Sequence, residues 1–252
     1  MMNPQYSRSH WSLAFAGIFA ALALLGCNSM PGRPRPGPEV VRPDEVLDFN
    51  VLYTQNCSAC HGAEGKGGAA VSLADPVYLA LVDDTTLRQV MTNGVPGTPM
   101  RGFARSAGGT LTDRQIDVLV RDMRARWAKP EVLGGASLPS YTTSVPGDKG
   151  RGAGVYQTFC ASCHGPEGRG GSKAGSIVDG SYLALVSDQG LRTTVIVGVP
   201  NVGAPDWRGN APGRPMTDQE VSDVVAWVAA QRPQFPGQPY PSSAGPATGG
   251  SE

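Results

Sequence analysis

Four of the five cysteines and two of the three histidines lie in two copies of one pentapeptide, Cys57-Ser58-Ala59-Cys60-His61 and Cys160-Ala161-Ser162-Cys163-His164. Two thiols three residues apart can be half of a zinc site, a redox-active dithiol, or a pair of thioether anchors for a haem. Zinc needs four ligands, and each copy supplies three adjacent ones with no second pair nearby. A thioredoxin-like dithiol wants a βαβ setting, which the sequence lacks. The third chemistry uses all three residues. Each cysteine bonds one haem vinyl group, and the histidine that follows is held under the iron as its ligand. Cys27 ends an N-terminal apolar run and His10 precedes that run, so nothing remains to form a disulfide.

The pentapeptides belong to a longer repeat. Cys57 matches Cys160 at an offset of 103, Asp75 to Arg88 matches Asp179 to Arg192 at 104, and Thr112-Asp113 matches Thr217-Asp218 at 105. Gly94-Val95-Pro96 and Gly198-Val199-Pro200 keep the middle offset. A duplicated unit with two single-residue insertions accounts for this register. Each copy reads as three helices joined by glycine-rich loops. The first helix places Tyr53 or Tyr156 one turn ahead of the first cysteine. The second runs from about Asp84 to Asn93 and stops at Gly94; its counterpart stops at Gly198. The third opens on a capping box, Thr112 with Gln115 or Thr217 with Glu220. Its apolar residues recur at i, i+3, i+4 and i+7: Ile116, Leu119, Val120 and Met123, then Val221, Val224, Val225 and Val228.

Met91 and Met123 sit at apolar helical positions and read as core. Trp227 is placed to pack the last helix against the first, whereas Trp127 lies outside the matching position, where Asp122 stands. The loops 62–68 and 165–171 are glycine-rich, but neither has the spacing of a phosphate loop nor a strand before it. Glycine (34) and proline (22) exceed a fifth of the chain, and aromatics are 7%. Small domains of that make-up need a staple such as a large cofactor to complete a core. The expected class is all-α, with domains over residues 44–128 and 148–232 and a linker over 129–147.

Over most of residues 44–232 this layout resembles the class I cytochrome c family. The resemblance rests on the two C-x-x-C-H-G motifs, the glycine-rich loop after each, and the capped last helix. It implies two tandem cytochrome c-like domains, each about three helices wrapped around a covalently bound haem. Two haem c groups would be attached through Cys57 and Cys60 and through Cys160 and Cys163, with His61 and His164 as proximal iron ligands. Gly97-Thr98-Pro99-Met100-Arg101-Gly102-Phe103 is similar to the family's axial-methionine loop, which implies Met100 as the opposite ligand of the first iron. At the offset of 104, Met100 falls on Ala204, and no histidine follows His164. The only later methionine is Met216, which stands at the position of Leu111 just before the helix cap. Met216 is therefore read here as the second iron's ligand, against the alternative of a core residue stapling onto the first helical turn.

The N-terminus carries an address. An apolar run from Trp11 to Gly26 is short for a membrane span and suits the hydrophobic region of a signal peptide. Leu24-Leu25-Gly26-Cys27 resembles a bacterial lipobox, which implies cleavage after residue 26 and acylation of Cys27. The Pro-rich segment up to residue 43 reads as an extended tether, and the Pro/Gly/Ser-rich tail over 233–252 as disordered. Basic and acidic residues balance at 21 each, giving no reason to invoke nucleic acid.

These readings lead to a membrane-anchored protein on the periplasmic or extracytoplasmic side. It would transfer electrons between a membrane-bound quinol-oxidising complex and an oxidase, a photosynthetic reaction centre or a reductase. Shuttle and fixed subunit fit the sequence equally. The rival is a peroxidase-like or thiosulfate-oxidising enzyme using the second haem as a catalytic iron. No further histidine or cysteine is present to serve that chemistry.

Overall fold

A computed structural model describes residue 37 and residues 40–233. The signal segment, Cys27, most of the tether and the tail from residue 234 lie outside the described residues. The chain divides at Pro43/Asp44, and both copies of the repeat fall in the unit that begins at Asp44.

Among the described residues the structure is helical, with isolated bridges and no strand. The first copy holds α1 (Phe49–Asn56), α2 (Ser58–His61), α3 (Pro76–Leu81), α4 (Asp84–Asn93) and α5 (Asp113–Trp127). The second holds α6 (Lys149–Phe159), α7 (Ala161–His164), α8 (Gly180–Leu185), α9 (Asp188–Val197) and α10 (Asp218–Ala229) in the same order. No helix is long and apolar enough to cross a membrane among these residues.

The three expected helices of each copy are α1, α4 and α5, and α6, α9 and α10. Two short ones were not foreseen in each copy. α2 and α7 are single turns that restart the helix after a break at Cys57 or Cys160. α3 and α8 occupy the matched Tyr-Leu-Ala-Leu segments, and each starts on an aspartate cap, Asp75 or Asp179. Asp75 accepts hydrogen bonds from the N–H groups of Val77 (2.8 Å) and Tyr78 (3.1 Å), with Pro76 in the first turn. Both capping boxes form as expected.

The last helix of each copy packs on the first. In the second copy the Trp227 ring stacks on Tyr156 with centroids 4.3 Å apart. In the first copy Trp127 does this work from farther along a longer helix, meeting Tyr53 and Phe49 edge-on at 5.4 and 5.6 Å. Both indoles end over the equivalent glycine: a Cβ at Gly65 would lie 2.8 Å from Trp127, and one at Gly168 would lie 3.5 Å from Trp227. Met91 and Met123 are buried in the core as expected.

The connection between the copies is bound down rather than loose. Its turn Pro130–Leu133 packs on α3, and the Arg208 guanidinium donates to the carbonyls of Val132 (3.0 Å) and Leu133 (3.2 Å). Farther on, buried Arg192 donates to the carbonyls of Ser140 (2.9 Å) and Tyr141 (3.2 Å) and to the Ser222 hydroxyl (3.0 Å). Its remaining amino group pairs with Asp218, whose carboxylate also accepts the Ser140 N–H (2.8 Å). A guanidinium supplies five donors in a fixed plane, so one arginine can gather several carbonyls of an irregular segment.

Candidate haem-attachment sites

α1 ends because the backbone turns aside at Cys57, whose N–H still donates to the Tyr53 carbonyl (2.8 Å). The single turn that follows carries Cys60 and His61 on from Cys57, with the His61 N–H donating to the Cys57 carbonyl (3.0 Å). Cys160, Cys163 and His164 repeat this arrangement at the end of α6 (3.0 Å). The structure thus brings each cysteine pair and its histidine together on one turn.

Each imidazole is oriented by a backbone carbonyl. His61 Nδ1 lies 2.8 Å from the Val71 oxygen, and His164 Nδ1 lies 2.7 Å from the Gly175 oxygen. A carbonyl only accepts, so Nδ1 carries a proton, and the neutral tautomer this selects keeps its lone pair on Nε2, where a metal can take it. Burial also pushes the His61 pKa below its ordinary value, which favours the neutral ring a metal requires.

The loops after the motifs are closed by glycine. Gly62 (φ 84°) and Gly165 (φ 76°) end the short turns in a conformation that side chains disfavour. Tyr53 donates its hydroxyl to the Gly62 carbonyl (2.8 Å), and Tyr156 makes the same bond to Gly165. The aromatic one turn ahead of the first cysteine therefore pins the backbone just after the histidine. Gly68 comes so close that a Cβ there would lie 2.1 Å from the Cys60 carbonyl oxygen.

The first thiol of each pair lacks the lowered pKa of a reactive dithiol. Burial, with the neighbouring cysteine, pushes Cys57 and Cys160 each up to about 11, whereas reactive dithiols work through a lowered thiol pKa. The donor set fits a covalently attached haem: two thiols on one turn, one imidazole bonded to a carbonyl through Nδ1, and a glycine cradle beside them.

On the loops before α5 and α10 the two copies part company. Gly94 and Arg101 form an antiparallel bridge, and the Val95 N–H donates to the Met100 carbonyl (2.7 Å). In the second copy the Val199 N–H donates to the Ala204 carbonyl (3.0 Å). A Cβ at Gly94 would meet the Met100 carbonyl at 2.5 Å, and one at Gly198 would meet that of Ala204 at 2.7 Å. Ala204 therefore stands where Met100 stands. The Leu111 N–H donates to the Phe103 carbonyl (2.8 Å), as the Met216 N–H does to the Trp207 carbonyl (2.9 Å). The structure seats Met216, buried at 3% exposure, in the place of Leu111 and not in that of Met100.

Residues 150–231 match the family model for cytochrome c, and residues 44–121 match the model for subunit III of cbb3-type cytochrome c oxidase. Together these spans take in more than half of the chain, one haem motif in each. The chain belongs to the tandem c-type cytochromes.

A cytochrome bc1 complex cytochrome c subunit of Mycobacterium tuberculosis is 27% identical over 246 residues, covering 93% of this cytochrome and 82% of the relative. The cbb3-type cytochrome c oxidase subunit CcoP of an Azospirillum species is 33% identical over 158 residues, 56% of this chain and 48% of the relative. A dihydro-heme d1 dehydrogenase of Pseudomonas aeruginosa is 36% identical over 104 residues, a match confined to 35% of this chain and 20% of that enzyme. The match to the bc1-complex cytochrome c subunit is long enough to span both haem motifs. With the family goes covalently bound haem c, and two cytochrome domains agree with two such groups.

Proposed function

We propose that this cytochrome carries electrons at the outer face of a bacterial membrane, from a membrane-bound quinol-oxidising complex to an oxidase, reaction centre or reductase. The observation that carries the reading is the pair of matched motifs in one chain, each with its imidazole held through Nδ1 on a carbonyl. The likeness of nearly the whole chain to a bc1-complex cytochrome c subunit supports the quinol side of the route.

In this reading Cys57 and Cys60 hold one haem and Cys160 and Cys163 the other, with His61 and His164 on the irons. Met100 is the opposite ligand of the first. Haem held in this way supplies one-electron chemistry, with a potential that a methionine ligand raises. The protein's part is to fix the ligands and hold the two groups in one chain, so that electrons pass between partners without a diffusing cofactor. Cys27 carries the lipid anchor, keeping the domains next to membrane complexes.

Denaturing electrophoresis with haem staining, together with intact-mass measurement, tests the attachment. The expected result is two haems retained, falling to one in Cys160→Ala/Cys163→Ala; no retained haem overturns it. For the route, purified protein is mixed with solubilised quinol-oxidising complex and a quinol. Reduction at a rate that depends on that complex is expected, and no acceleration over quinol alone counts against it. The anchor is tested by Cys27→Ser, which should move the protein from the membrane fraction to the soluble one.

A further inference from the structure

The two loops that precede the last helices are built alike except for the side chains they present. Met100 and Ala204 accept equivalent backbone hydrogen bonds at the base of equivalent turns (2.7 and 3.0 Å). Past them the second copy has one extra residue, and the structure locates it between Trp207 and Met216. Phe103 matches Trp207 at an offset of 104, and Leu111, bonded to the first, matches Met216, bonded to the second, at 105.

Met216 is fixed where it is. Its N–H is bonded to the Trp207 carbonyl (2.9 Å), and Trp207 is itself buried. The next residue, Thr217, is the helix cap, whose N–H donates to the Glu220 carboxylate (2.9 Å). Shifting the backbone at Met216 toward the place of Ala204 would break both bonds. The rest of the loop is equally committed. Arg208 holds the Asp206 carboxylate (2.6 Å) and ties it to the connection between the copies through Val132 and Leu133. Residues 199–216 contain no histidine, cysteine, lysine or tyrosine, and Met216 is their one sulfur.

We infer that the second domain gives its haem iron one axial ligand, His164, and that the methyl group of Ala204 leaves the opposite side open to a small diatomic ligand such as carbon monoxide, nitric oxide or dioxygen. The inference rests on the reading that each domain carries a haem and that Met100 is the ligand opposite His61 in the first. The first domain, closed by Met100, is the internal control. This divides the labour of the repeat: one domain is sealed for electron transfer, and the other takes an external ligand.

The test uses the full-length protein carrying both haems, reduced with dithionite and titrated with carbon monoxide while its absorption spectrum is followed. The expected result is one carbon monoxide bound for every two haems. Met216→Leu, which installs the first domain's own residue at that place, should leave stoichiometry and spectrum unchanged. Ala204→Met should lower binding at least tenfold and add a second low-spin, methionine-ligated spectrum. Wild-type protein that binds no carbon monoxide, or a Met216→Leu variant that acquires binding, would overturn the inference by making Met216 or another group the ligand. Haem staining of the same samples separates this failure from a failure of the attachment reading, because a protein lacking covalent haem loses colour on the denaturing gel.

Discussion

Tyr156 and Trp227 lie nearly parallel, ring centroids 4.3 Å apart and planes at 24°. The tyrosine's hydroxyl is bonded to Gly165, just after the haem-motif histidine, so the stack ties the last helix to the attachment site through a single side chain. Trp227→Ala should destabilise the second domain by ~3 kcal/mol, and Trp227→Phe by about half of that. Thermal unfolding of the holoprotein measures both. A variant within experimental error of wild type would mean that the stack holds nothing together.

Gly68 has no room for a side chain. A Cβ would lie 2.1 Å from the Cys60 carbonyl oxygen and 2.6 Å from the Gly62 nitrogen, both backbone atoms that cannot turn away. Gly68→Ala should cost on the order of 2–3 kcal/mol and reduce haem incorporation in the first domain only. The haem-to-protein ratio should then fall from two toward one. Gly67→Ala is the control for space, since nothing lies within 4 Å of a Cβ there, although its positive φ (77°) carries a smaller penalty.

Asp223 is buried beneath the start of α6. It accepts from the Arg151 side chain (2.8 Å), the Asp148 N–H (2.7 Å) and Gln219 (2.9 Å). The hydrogen bond from Arg151 is the largest cause holding its carboxyl below the ordinary carboxylate value. A pKa lowered by folding stabilises the protein once the pH exceeds the unfolded value, and that contribution disappears as the pH falls through the folded value. Asp223→Asn should therefore be destabilised near neutrality, by ~1–2 kcal/mol. The gap from wild type should begin to narrow as the pH falls through the unfolded carboxylate value of about 4 and close only below the lower folded value. Urea unfolding at a series of pH values reads the gap; one that widens in acid would reverse the assigned sign.

Met100→Ala gives the first domain the loop residue of the second. With a methionine on the first iron alone, the variant should lose all of the methionine–iron charge-transfer absorption of the oxidised protein, and the first haem's potential should fall. Retention of half that absorption would place a second methionine on iron. Spectroelectrochemical titration reads absorption and potential together.

What belongs to short stretches of chain was legible in the sequence. The two pentapeptides, the register of the repeat, both capping boxes and the stop at Gly94 each depend on residues within a few positions of one another. Local backbone chemistry is sufficient to settle such features. The all-α class rests on these together with the helical periodicity of α5 and α10, and the two cytochrome domains on the family resemblance that the motifs carry. Even α3 and α8 carry a local signal in Asp75-Pro76 and Asp179, but six residues hold too little helical periodicity to mark a helix.

Tertiary structure decided the rest. Trp127 stands five residues beyond the position matching Trp227, and only the packing of α5 on α1 brings its ring over Gly65 to the same place. The connection over 129–147 reads as spacer because its hydrogen-bonding partners, Arg192 and Arg208, lie some fifty residues or more farther along. Met216 and Ala204 show the difference most plainly. Sequence alone offered one remaining sulfur and two possible places for it. The choice between them rests on which carbonyl its N–H reaches, and that is Trp207, as it is Phe103 for Leu111. A side chain's place in a loop is set by the backbone bonds that close the loop, and those bonds join residues whose distance in space no spacing along the chain specifies.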